Sequence, residues 1–224
     1  MNKNEWYHIL TGHFGYPQPE KNFEYLNQTY IPDIGCPTCK IGKIQNHPFR
    51  FRNEPKTKHS QFIGLNWIFD QIFIREHVKN EFEKNNLTGI YFSHPVIHKS
   101  GIQINSVYQL HVDTLLPQGL IDDNLETEIC EMPKDNKMLN FLKAIDSESL
   151  KGPFCGQKKY NFPQNQKMKF RKNIFTNMPD FVRTNEWFGS GGSANRPIII
   201  SEKVKEIIEK NKWRGAFLNS IELI

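Results

Sequence analysis

Four cysteines are the residues of this chain whose type and spacing most directly suggest chemistry. Cys36-Pro37-Thr38-Cys39 is a CxxC turn, a spacing that lets two thiolates hold one tetrahedral zinc ion at about 2.3 Å each. Such a site needs two more ligands, and Cys130 and Cys155 are the only other thiols. Cys155 lies in Gly152-Pro153-Phe154-Cys155-Gly156, where Gly152 occupies the position that the first cysteine of a second CxxC would take. Together Cys36, Cys39, Cys130 and Cys155 are candidate metal ligands of one all-thiolate structural site joining distant parts of the chain. Two other readings of the same turn stay open: a redox pair, or a relict turn that binds nothing. A thioredoxin-like redox site would place the CxxC at a helix start behind a strand. Here it follows Tyr30-Ile31-Pro32-Asp33 and runs into Lys40-Ile41-Gly42-Lys43, which reads as a loop.

Other constellations are less specific. Lys158-Lys159-Tyr160-Asn161-Phe162 and Lys167-Met168-Lys169-Phe170-Arg171-Lys172 mix cations with aromatics in the manner of surfaces that hold phosphates and stack bases. The same pattern fits an amphipathic strand with Met168 and Phe170 inside and Lys167, Lys169 and Arg171 outside. Residues 113–150 carry nine acids against three lysines, and residues 151–183 carry eight Lys or Arg against Asp180 alone. Such blocks either coat solvent or steer a partner of opposite charge. Gly189-Ser190-Gly191-Gly192-Ser193 lacks the GK[ST] of a phosphate-binding loop and reads as a connector. Gly191-Gly192-Ser193-Ala194-Asn195 lacks the last glycine of a nucleophile elbow. The eight histidines are scattered, so no catalytic set emerges and the expectation is a protein that is not an enzyme. No run approaches a membrane span, and Met1-Asn2-Lys3-Asn4-Glu5-Trp6 lacks the apolar core of a secretory signal. A cytoplasmic location with reduced thiols and no membrane contact is therefore expected.

The elements that must position these groups show an internal likeness. Aligned at an offset of 126, residues 72–92 and 198–218 share nine of 21 positions without a gap, far more than unrelated segments would. Each begins with a β-branched or aromatic run, Ile72-Phe73-Ile74 or Ile198-Ile199-Ile200, that reads as a buried strand. Each continues into a helix whose apolar stripe is Val78 and Phe82, or Val204, Ile207 and Ile208. Ser201 is a candidate N-cap, and the helices are expected to stop at Asn85-Asn86 and Asn211-Lys212. A glycine then permits a turn into Ile90-Tyr91-Phe92 or Ala216-Phe217-Leu218. Val107 to Val112 alternates as a strand and 136–145 reads as a short helix. The expected fold is α+β, with two related halves that are each a small sheet with a packed helix. Residues 1–120 form the N-terminal half with the CxxC knuckle, and 121–224 the C-terminal half with a degenerate one.

Taken in order, these features resemble the double-CXXCG motif family of bacterial immunity proteins. The residues that carry the resemblance are Trp6-Tyr7, the Ile31 to Cys39 knuckle, the Trp67 to Gly89 unit, Cys130, Phe154-Cys155-Gly156 and Phe181 to Gly215. Lys40 stands where the family has glycine and Gly152 where it has cysteine. The resemblance implies a cytoplasmic antitoxin of a polymorphic toxin system, with a cognate toxin protein as partner. It also implies metal ligands at Cys36, Cys39 and Cys155; the place of the missing thiol is open to Cys130 or a histidine, and Cys130 is the candidate taken here. Such a protein needs a contact surface of roughly 1,200–2,000 Å² in total and no catalysis. The alternative reading is a zinc-ribbon nucleic-acid-binding protein, although nucleic acid is not the expected partner.

Overall fold

The computed structural model describes residues 5–14, 30–56, 59–65, 68–121, 125–145, 147–164 and 166–224, with Phe69, Glu148 and Ser149 described in backbone alone. Met1 to Asn4, Trp67 and three of the nine acids of 113–150 (Asp122, Asp123 and Asp146) lie outside these residues. In the first part of the chain the strands are β1 (Trp6–Thr11), β2 (His13–Phe14), β3 (Arg50–Phe51), β4 (Phe62–Leu65), β5 (Ile68–Arg75), β6 (Tyr91–Ser93), β7 (Val96–Ile97) and β8 (Val107–His111). They are followed by β9 (Thr127–Ile129), β10 (Lys158–Tyr160), β11 (Lys169–Phe170), β12 (Phe181–Arg183), β13 (Trp187–Phe188), β14 (Ile198–Ser201), β15 (Ala216–Ser220) and β16 (Glu222–Leu223). The α-helices among the described residues are α1 (Glu76–Lys84), α2 (Asn136–Ile145) and α3 (Glu202–Lys210). The class is α+β, as expected, with small and mostly antiparallel sheets.

Two sheets dominate, ordered β2-β4-β5-β8-β6 and β12-β14-β1-β15. The local course of the two aligned segments is the same. In each, a strand (β5 or β14) feeds a helix and the chain returns as a strand (β6 or β15) two places away, with an antiparallel strand (β8 or β1) between them. β1 comes from the opposite end of the chain, so the second sheet is assembled from both termini. Helices α1 and α3 end at Asn85 and Asn211, followed by the left-handed residues Asn86 and Lys212. Ser201 does occupy the N-cap, but its hydroxyl donates to Asp180 Oδ1 at 2.8 Å and makes no cap hydrogen bond.

Ile72-Phe73-Ile74 and Ile198-Ile199-Ile200 are packed on both faces of their sheets, which is why these segments read as unbroken apolar runs. Ile72, Ile74, Ile198 and Ile200 enter one shared core with Val78, Phe82, Val204 and Phe181. Phe73 points the other way, onto Phe49 and Phe51, and Ile199 packs with Trp6, Phe170 and Val182. The contacts between the sheets are reciprocal. Phe181 N–H donates to Thr88 O at 3.1 Å, and Phe62 N–H donates to Arg214 O at 3.2 Å. The adjoining Gly89 and Gly215 have φ of +83° and +94°, and a Cβ on either would strike the carbonyl oxygen of Phe181 or Phe62. Arg183 adds a clamp, donating from Nε to Val112 O at 2.9 Å and from Nη2 to Asp70 O at 2.9 Å. Its half-buried guanidinium thus ties β12 to the β5–β8 side of the other sheet.

Candidate metal centre

The CxxC turn is a backbone knuckle. Cys36 N–H donates to Ile41 O at 2.8 Å, Lys40 N–H to Cys36 O at 2.9 Å, and Cys39 N–H points at Cys36 Sγ at 3.4 Å. The turn closes only because Lys40 takes a left-handed φ of +63°, the conformation that glycine adopts at least cost. Gly156, which follows Cys155, has φ of +68°. The residue after each of these cysteines therefore has the same handedness, and Lys40 adopts it despite its side chain.

Antiparallel pairing brings the other two thiols together. β9 lies beside β10, Cys130 N–H donates to Gln157 O, and Gly156 N–H donates to Cys130 O, both at 3.0 Å. The knuckle docks on this pair through Thr38 Oγ1, which donates to Pro153 O at 2.9 Å. Cys36 Sγ then lies 3.8 Å from Cys130 Sγ, and Cys39 Sγ lies 3.7 Å from Cys155 Sγ. All four ligand atoms fall within 4.8 Å of one another. For sulfurs at about 2.3 Å from a tetrahedral ion the edge of the tetrahedron is about 3.8 Å. All four cysteines are free thiols; Cys39 and Cys130 are buried and Cys155 is exposed.

The thiols differ in how readily they ionise. Burial works to raise the Cys36 thiol, but the N–H groups of Cys39 and Thr38 and the thiols of Cys39 and Cys155 outweigh it and bring it down to about 6. Burial, reinforced by the sulfurs of Cys130, Cys36 and Cys155, pushes Cys39 up to about 12. Cys130 is also raised, first by burial. One thiolate is accommodated easily, and further ionisation is opposed until positive charge is supplied. The surroundings are compact. Ile41, Ala194, Phe154 and Trp187 pack around the thiols, and a Cβ on Gly192 would lie 2.9 Å from Lys40 Cβ. The glycine-rich stretch at 189–193, expected to be a connector, thus seats against the knuckle, with residues 191–193 in a 3-10 turn. Its small residues were the available signal of a close approach.

The other candidates have plainer roles. Met168 and Phe170 are buried, while Lys167 and Arg171 point outward and Lys169 reaches Glu222 at 3.9 Å. Lys159 is fully buried and pairs with Glu128 at 2.6 Å. The exposed acids Glu126, Glu131 and Asp135 lie along the segment between β8 and α2. A cluster that sequence reasoning missed joins His47, Tyr91, Ser93 and His111. His111 Nε2 is 2.7 Å from Ser93 Oγ, and its ring stacks on Tyr91 at 4.4 Å. Burial, with a further contribution from His47, lowers His111 to about 4. These residues lie on neighbouring strands or a distant loop, so spacing along the chain gave no sign of the grouping. Among the described residues no helix is long and apolar enough to cross a membrane. Compared with known proteins, the chain matches no protein-family model and no curated sequence.

Proposed function

We propose that the chain is an immunity protein that binds a cognate toxin and neutralises it by protein–protein contact, on a scaffold fixed by one structural zinc ion. The observation that carries this reading is the cluster of four sulfurs from Cys36, Cys39, Cys130 and Cys155, all within 4.8 Å of one another and with two pairs at 3.8 and 3.7 Å. Three of these thiols are those that the resemblance to the immunity family marks as ligands, and Cys130 takes the place of the missing fourth. Four thiolates fill a tetrahedral ion and leave no open position for substrate, so the metal's part is structural. It would fasten the loop at 36–39 to β9 and to residues 153–157 and so hold the partner-facing surface in one shape. The exposed carboxylates of Glu126, Glu131 and Asp135 suit electrostatic steering of a basic partner face.

The test is genetic and direct. Expression of the polypeptide encoded beside this gene should arrest growth, co-expression of this chain should restore it, and the two should copurify. A toxic neighbour that this chain neither rescues nor binds would overturn the proposal.

A further inference from the structure

We propose that the outer edge of β15 takes up an extended, acidic segment of a partner protein as an added strand. β15 is the last strand of its sheet and pairs on one side only, with β1. Gly12 N–H donates to Gly215 O at 3.2 Å and Ile221 N–H to Trp6 O at 3.0 Å, which sets the phase of the ladder. Alternation then turns the backbone of Gly215, Phe217, Asn219 and Ile221 toward β1 and that of Ala216, Leu218 and Ser220 outward. Among the described residues no backbone group meets this outer row. An open strand edge selects extended polypeptide over other ligands, because its donors and acceptors repeat at the spacing of a strand.

Side chains beside the edge give it character. A cleft of about 710 Å³ opens along the β1–β15 surface, lined by His8, Leu10, Phe162, Met168, Leu218 and Lys167. Phe162 stacks on His8 with ring centroids 5.6 Å apart, which fixes one wall. Phe217 is 60% exposed and Leu10 38%, so apolar surface flanks the row. The charge there is positive. Lys212 and Arg214 precede the strand and Lys167 stands over the cleft. The nearby acids are engaged: Glu222 with Lys169 at 3.9 Å, and Glu5 with the Tyr7 hydroxyl at 2.5 Å. An incoming strand that alternates apolar and acidic residues would present its acidic set to Lys167 on the cleft face and its apolar set to the opposite face, beside Ala216 and Leu218.

This inference goes beyond the antitoxin reading and is tested without a toxin. The probes are labelled heptapeptides of alternating valine with glutamate, or valine with lysine, titrated into the full chain by fluorescence anisotropy. Binding of the glutamate peptide, with at least tenfold weaker binding of the lysine peptide, is expected. Ser220→Pro removes one outward N–H and leaves the β1 ladder intact, and Lys167→Glu reverses the cleft charge. Each should weaken the glutamate peptide about tenfold in protein that melts like wild type. Equal binding of both peptides, no binding of either, or indifference to both substitutions would overturn the proposal. So would a dimer in sedimentation that Ser220→Pro dissolves, since the occupant would then be a second copy of the chain.

Discussion

Replacing Cys130 with serine removes one ligand from a site that closes two long loops. The contact of Cys36 with Cys130 spans 94 residues and that of Cys39 with Cys155 spans 116. A cross-link closing a loop of that first length removes roughly 4.6 kcal/mol of unfolded-chain entropy at 25 °C. The second adds less, because it closes within a chain that is already constrained. For 224 residues a change of that size moves the melting temperature by roughly 10 °C. The assay is zinc quantitation on reduced, purified protein together with calorimetry before and after chelation. Wild type should carry about one equivalent of zinc and lose roughly 10 °C on chelation. Cys130→Ser should bind less than half an equivalent and melt close to chelated wild type. The reasoning fails if wild type purifies without zinc, takes none up under reducing conditions, and melts within about 2 °C of itself with and without chelator. A relict knuckle would behave in that way.

Other consequences can be measured on the same protein. Lys40→Gly relieves a residue held at a left-handed φ of +63°, so it should stabilise the zinc-loaded chain by about 0.5–1 kcal/mol in chemical denaturation; a loss of 1 kcal/mol or more would contradict the knuckle geometry. Burial lowers His8 to about 4, and burial with His47 lowers His111 to about 4, so the folded state binds fewer protons than the unfolded state between that value and 6.5. Stability is then complete above pH 6.5 and falls as pH drops toward 4, with His8 alone contributing about 3 kcal/mol across the window. Urea midpoints of His8→Gln should fall less steeply there, and an unchanged pH profile would argue against a buried neutral ring. Phe82 is 1% exposed and packs against Phe62, Phe181 and Trp213 from both sheets. Phe82→Ala should cost about 3–5 kcal/mol and lower one cooperative transition for the whole chain; a separate early transition of one sheet would refute the shared core.

Sequence periodicity revealed the parts of the fold that depend on local pattern. The stripes Val78–Phe82 and Val204–Ile207–Ile208 had to face a sheet, and all five side chains are buried in the shared core. Asn85 and Asn211 end their helices because the next residue turns left-handed, and short polar side chains compete well for the last carbonyls. Helix α2 also forms over the expected residues 136–145, but none of its side chains is buried, so its apolar positions gave no guide to packing. Ser201 illustrates a different limit. Its type fits a cap, yet Asp180, 21 residues earlier, takes its hydroxyl. Tertiary partners of that kind leave no mark on local spacing.

The cysteine cluster and the second sheet owe their form to the same long-range pairing. Cys130 had no CxxC partner to announce it, and it reaches the site because β9 pairs with the strand that begins just beyond Cys155. β1 likewise fills, from the far end of the chain, the place that β8 fills within the first sheet. In both cases a position left open in one segment is completed by residues remote in sequence. Completion costs loop entropy once, and the return is a closed ligand set in one case and a covered strand edge in the other. β15 is where this completion stops, since the second sheet has no described strand beyond it. A partner strand laid there, as proposed above, would extend the same construction across an interface, with the outward row of Ala216, Leu218 and Ser220 as its template.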